Sequence, residues 1–71
     1  MRKQNAPSVA QALRSWKALN EVLMKLDEPA VERALRIERS NKRRDNIIRR
    51  LHQRLSRLRA IRERDELRRS P

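Results

Sequence analysis

Apolar residues recur at three- and four-residue steps along most of this chain, and the places where the rhythm falters predict its elements. Val9, Ala12, Leu13, Trp16, Leu19, Leu23 and Leu26 carry it first, with Val22 widening the stripe. That spacing predicts an amphipathic helix over about 8–26. Ser8-Val9-Ala10-Gln11 reads as its capping box, in which hydroxyl and amide satisfy orphan donors of the first turn. Glu21 and Lys25, acid first at i,i+4, support the same helix. Residues 1–7 are polar and predict a flexible N-terminus.

Asp27-Glu28-Pro29 interrupts the stripe. Asp27 is suited to cap a new helix, and Pro29 is tolerated in a first turn that has no intrahelical amide bond to lose. The turn at 27–29 is short, and short helix connections make antiparallel neighbours. The second helix is read as continuous over about 29–69, because no glycine exists and the next proline is Pro71. Glu32–Arg36, Glu38–Lys42 and Asp45–Arg49 are acid-first pairs that favour continuity. The polar run 38–46 is where the competing arrangement would fall, a break near Ser40-Asn41 that folds 42–69 back as a third helix.

The expected fold is therefore all-α: a two-helix antiparallel hairpin, helix 1 over 8–26 and helix 2 over 29–69. At 1.5 Å per residue the second helix would span roughly 60 Å and the first about 28 Å. Everything beyond about Leu51 would overhang the hairpin. Ile48, Leu51, Leu55, Leu58 and Ile61 line that overhang, with Ile47 on its edge. Each large side chain left in water forgoes about 1.5–3 kcal/mol of burial. A second copy is the simplest cover, so these five residues are read as an oligomer interface and the hairpin as a unit dimerising into a helical bundle.

Composition sharpens this picture. With 71 residues the chain is one small domain near the lower limit for a self-sufficient core. It has no cysteine, so disulfides and thiolate metal sites are ruled out. Trp16 is the only aromatic residue, which leaves a core of Leu, Ile, Val and Ala. No apolar run is long enough to cross a membrane, no apolar stretch of signal-peptide character follows the basic start, and a cytoplasmic location is the expectation.

Charge changes the reading most. Twenty basic residues, 16 of them arginine, face nine acids, for a net charge of +11. From 42 to 62 there are nine bases and one acid, Asp45. On a helical wheel Arg43, Arg50, Arg54, Arg57 and Arg64 fall within about a quarter-turn, with Lys42 and Arg49 on the adjoining face. Guanidinium forks meet phosphate oxygens bidentately, and a stripe of them can follow a phosphate backbone. Lys42, Arg43, Arg49, Arg50, Arg54, Arg57 and Arg64 are therefore the candidate nucleic-acid-binding residues. Arg44, Arg59 and Arg62 lie beside the apolar stripe and are assigned structural roles, snorkelling over leucines or pairing with acids across an interface.

Trp16 on the stripe is expected to anchor the core, with stacking on a nucleobase or on Arg44 as the sharper alternative. His52 has no second His or Cys at ligand spacing and reads as surface or interface packing; Met24 faces away from the stripe. No catalytic constellation, cofactor motif or metal set is visible, so an enzyme is not expected. Glu38–Ile47 is superficially similar to the basic region of leucine-zipper transcription factors, but Leu51 and Leu58 keep the seven-residue step only once.

The function expected is a small basic protein that binds DNA or structured RNA through phosphate contacts, as a homo-oligomer. The alternative is a helical adapter or inhibitor docking on the acidic surface of a protein partner. A membrane-bound amphipathic helix is disfavoured by the narrow stripe and the single aromatic.

Overall fold

A computed structural model describes residues 8–69, and over that range the chain is helical with no strand. Helix α1 covers Val9–Ala12 and α2 covers Trp16–Val22, prolonged by a 3-10 turn at Leu23–Lys25. Helix α3 covers Glu28–Ser40 and α4 covers Asp45–Arg69. The N-terminal residues 1–7 and the end at Ser70-Pro71 lie outside the described residues.

Side-chain caps set most of these boundaries. Ser8 Oγ accepts the Gln11 amide at 3.0 Å and opens α1. Asp27 Oδ1 accepts the Ala30 amide at 3.0 Å and opens α3, with Pro29 in its first turn. Between them the single helix expected over 8–26 is broken. Leu13 closes α1, and Ser15 Oγ accepts the Ala18 amide at 3.0 Å to open α2. A serine hydroxyl that bonds a backbone amide competes with helix continuation, and here the cap wins.

The larger departure is in the second half. The helix expected over 29–69 ends at Ser40 and restarts at Asp45, so the hairpin of two long helices is replaced by four shorter ones. The longest dimension is 44 Å, too short for a continuous helix of about 60 Å. Without glycine, the connection puts Arg43 in the left-handed region at φ 53°. The Arg43 amide donates to the Glu38 carbonyl at 2.8 Å, closing the end of α3.

The compensating interaction is a buried ion pair. Glu38 is 2 % exposed. Its Oε2 accepts the Arg44 backbone amide at 2.9 Å and the Arg44 Nε at 2.8 Å, and its Oε1 accepts Arg44 Nη2 at 2.8 Å. Nη2 also donates to the Leu13 carbonyl at 2.7 Å, a group freed by the end of α1. Glu38 thus pairs with Arg44 rather than with Lys42, because the helix ends before Lys42 can occupy the next turn. One side chain ties both breaks together.

With the break at 41–44, α4 returns along α3 in antiparallel register. Arg62 Nε donates to Glu28 Oε1 at 3.0 Å and Arg59 Nη2 to Glu32 Oε2 at 3.1 Å. The overhang accordingly begins after Arg62 rather than after Leu51, and residues 61–69 are all exposed. Segment 8–26 packs across the pair, and the core joins Ala12, Leu19, Val22, Leu23 and Leu26 to Ala30, Val31, Ala34 and Leu35 of α3 and Ile47, Leu51 and Leu55 of α4. The thin dimension of 19 Å is two helix layers. Trp16, expected in the core, is 46 % exposed: the break before it turns it out onto the surface.

Leu55→Ala is expected to remove about 2–4 kcal/mol of stability. The loss should be the same at low and high protein concentration in thermal melts, because Leu55 is sealed within one chain; a loss that vanished at high concentration would mean another copy covers it. Glu38→Gln should cost about 2–3 kcal/mol, less than the ~3–5 of a fully buried pair because Arg44 keeps 26 % of its side chain exposed. Hydrogen bonding from Arg44 holds the Glu38 carboxyl below the ordinary value of 4.5, against a smaller opposing push from burial. The folded pKa being the lower one, this contribution is complete above the unfolded carboxylate range and is lost as pH falls through the folded value. Denaturant titrations in acid should show a stability loss that Glu38→Gln flattens.

Candidate nucleic-acid interface

Helix α4 presents different chemistry on its two flanks. On the flank toward α3, acids and bases meet: Arg59 reaches Glu32 and Glu28, Arg62 reaches Glu28 and Glu66, and within α3 Arg36 approaches Glu32 at 3.8 Å. Arg44, Arg59 and Arg62, assigned structural roles from the sequence, are held by carboxylates of their own chain.

Toward α2, the side chains lining the surface of α4 include no carboxylate in either of two depressions. One open depression there is lined by Trp16, Asn46, Arg49, Arg50 and Gln53. A second is lined by Leu23, Met24, Arg50, Gln53, Arg54 and Arg57. Arg50 and Gln53 line both, so the two depressions adjoin along the seam between segment 16–25 and α4 and together make up the α2–α4 groove. Arg50, Arg54 and Arg57 stand one turn apart over about 10 Å of helix axis. Arg50 Nε donates to Asn20 Oδ1 at 3.1 Å, a neutral partner that fixes the side chain without cancelling its charge. Asn20 is itself anchored by Nδ2, which donates to the Trp16 carbonyl at 2.8 Å. Arg54 Nε is buried with no hydrogen-bond acceptor, which favours an anion brought to its guanidinium.

The remaining candidates are dispersed. Arg49 stands at the shoulder of the groove and also lines the mouth between α3 and α4 with Leu35, Arg39, Asp45, Ile48, His52 and Gln53. Arg43 lines an adjoining depression between α3 and α4, which holds Glu32 as well as Arg36, Arg39, Ser40, His52 and Arg59. Lys42 is exposed on the 41–44 connection, and Arg64 is exposed on the overhang beyond the groove. Among the described residues, none of Lys42, Arg43, Arg49, Arg50, Arg54, Arg57 and Arg64 forms an ion pair with a carboxylate.

Sequence reading missed Arg36 and Arg39, which join Arg43 and His52 only because α4 folds back. It also missed Asn20 and Met24 as groove residues; nothing in their spacing marks them, since they become neighbours of Arg50 through the break at 13–15.

The proposed oligomer stripe divides. Leu51 and Leu55 are buried, Ile48 and Leu58 are partly buried against the same core, and Ile61 is 41 % exposed. Leu51 and Leu55 are covered by their own chain, and the part of the stripe left open is Ile61 with the flanks of Ile48 and Leu58. Among the described residues no cluster of His, Cys, Asp or Glu could hold a metal ion, and no helix is long and apolar enough to cross a membrane.

No family model, curated protein or solved structure matches this chain.

Proposed function

We propose that this chain is a small nucleic-acid-binding protein that grips phosphates with Arg49, Arg50, Arg54 and Arg57 along α4, assisted by Lys42, Arg43 and Arg64. One observation supports this above the others: Glu28, Glu32, Glu38 and Glu66 pair with Arg36, Arg44, Arg59 and Arg62, while among the described residues the seven candidate cations form no ion pair with a carboxylate. Free guanidiniums concentrated on one helix repel each other, and a polyanion relieves that repulsion. Strain at Arg43 adds to it. A left-handed residue is ordinarily Gly or Asn, and an arginine there carries a cost of about 1 kcal/mol that a cation useful at that place would explain.

Phosphate binding by this route requires no second copy. A homo-oligomer would use the apolar surface that α4 leaves open, Ile61 with the flanks of Ile48 and Leu58, and would extend the cationic surface rather than create it. An acidic protein groove offers carboxylates to the same cations but lacks the regular charge spacing of a phosphate backbone.

Binding to duplex DNA and RNA should weaken by orders of magnitude between 50 and 200 mM salt. Arg49→Ala, Arg57→Ala and Arg64→Ala together should leave the melting temperature nearly unchanged, because all three are exposed, and should lower the logarithmic salt slope by about 2–3. Absent or salt-indifferent binding would exclude the proposal. Arg43→Gly should raise stability by several tenths of a kcal/mol to ~1 kcal/mol while weakening nucleic-acid binding; a variant that gained stability at unchanged affinity would remove Arg43 from the interface.

A further inference from the structure

Trp16 lies at one end of the α2–α4 groove, 46 % exposed, although it is the only aromatic side chain in the protein. It shares its depression with two side-chain amides, Asn46 and Gln53, and two guanidiniums, Arg49 and Arg50. The exposed half of the indole leaves a ring surface open to a flat partner, and the first-turn position of Trp16 on α2 sets it beside Arg49 and Arg50 of α4. Along the same groove the guanidiniums of Arg50, Arg54 and Arg57 continue beside exposed Met24.

We infer that this groove takes a single-stranded segment of nucleic acid, with one unpaired base stacked on Trp16 and the adjoining phosphates carried by Arg50, Arg54 and Arg57. This rests on the nucleic-acid reading and narrows it. Each component answers a feature that single strands have and duplexes hide. An unstacked base offers a π-face to an exposed indole, and its edge offers donors and acceptors to carboxamides. In a duplex the base faces are covered by their neighbours, so Trp16 would have nothing to stack on. The groove lining contains no Asp or Glu, so the phosphates meet no repulsion there. Asn20 connects the two ends: its amide group bonds the Trp16 main-chain carbonyl on one side and Arg50 Nε on the other, which ties the Arg50 guanidinium to the turn of α2 that carries Trp16.

Because Trp16 is the sole tryptophan, its fluorescence reports on the groove directly. The test titrates the full chain with a single-stranded oligonucleotide, a duplex of equal length, and inorganic polyphosphate. The single strand should quench Trp16 fluorescence, and Trp16→Ala should weaken its binding about tenfold, within the range for loss of one stacked base. Duplex and polyphosphate binding should be unaltered by Trp16→Ala and should cause little quenching. Trp16→Phe, which keeps a stacking face, should recover most of the single-strand affinity. Circular dichroism of each variant checks that helix content is retained, and a loss of folding in Trp16→Ala leaves Trp16→Phe and the quenching of the wild-type protein as the deciding measurements. Salt-sensitive binding of single strands with no quenching, and with equal affinity in all three proteins, would overturn the groove inference while leaving the phosphate ridge standing. No binding to any of the three polyanions would overturn both.

Discussion

The contact between Glu38 and Arg44 is the constraint on which the arrangement depends. A carboxylate 2 % exposed is costly to bury unless its oxygens are satisfied, and here one arginine supplies a backbone amide, Nε and Nη2 to the same carboxylate. That geometry cannot form within one helix, since Arg44 would then sit well past the turn that Glu38 faces. It requires the chain to end α3 at Ser40 and begin α4 at Asp45. The remaining reach of Nη2 to the Leu13 carbonyl fastens the N-terminal break to the same point. Buried pairs contribute little net stability compared with apolar residues of the same shape, but they penalise arrangements that leave one partner alone. Specifying the turn is the role that fits this one.

Turning the chain back also sorts its charges. In antiparallel register the acids of α3, Glu28 and Glu32, meet Arg59 and Arg62, while the flank of α4 toward α2 meets Leu23, Met24, Asn20 and Trp16. Surface ion pairs of this kind are worth little individually. Their consequence is distributional: they hold Glu28 and Glu32 on the α3 side, and the linings of the two depressions on the α2 side contain arginines and no acid. The proposed phosphate ridge and the proposed base-stacking groove are both products of that asymmetry.

Much of this was legible beforehand and some of it was not. Helical character and the boundary at Asp27-Pro29 follow from spacing and capping chemistry that act within one turn of chain. The lack of a carboxylate partner at Arg50, Arg54 and Arg57 also follows, since no acid lies within four residues of them in sequence; Arg49, with Asp45 one turn before it, did not announce the same state. The polar run 38–46 marked the place of the second break and the fold-back of 42–69 as the competing arrangement, but not that it prevails. The cause of that break is a contact six residues apart that carries no Gly or Pro marker, and Glu38 seemed already engaged by Lys42. Ser15 was the local clue to the first break and reads as an ordinary polar position inside a helix. Trp16 was assigned to the core by its place on the stripe, and only the break before it puts it outside. Misplacing one turn also transferred Leu51 and Leu55 from the core of one chain to a supposed contact between two.

The central claim, that the second half of the chain folds back at 41–44, is best tested by a single distance. The protein has no cysteine, so spin labels can be attached at Arg33→Cys and Arg57→Cys, both exposed, without competing sites. An unbroken helix would hold these positions about 36 Å apart. Antiparallel helices packed about 8–10 Å axis to axis would bring them within about 25 Å of each other, labels included. Pulsed dipolar spectroscopy on dilute protein should show the shorter separation; a dominant population near 36 Å would contradict the turn, the charge sorting and the groove that follow from it.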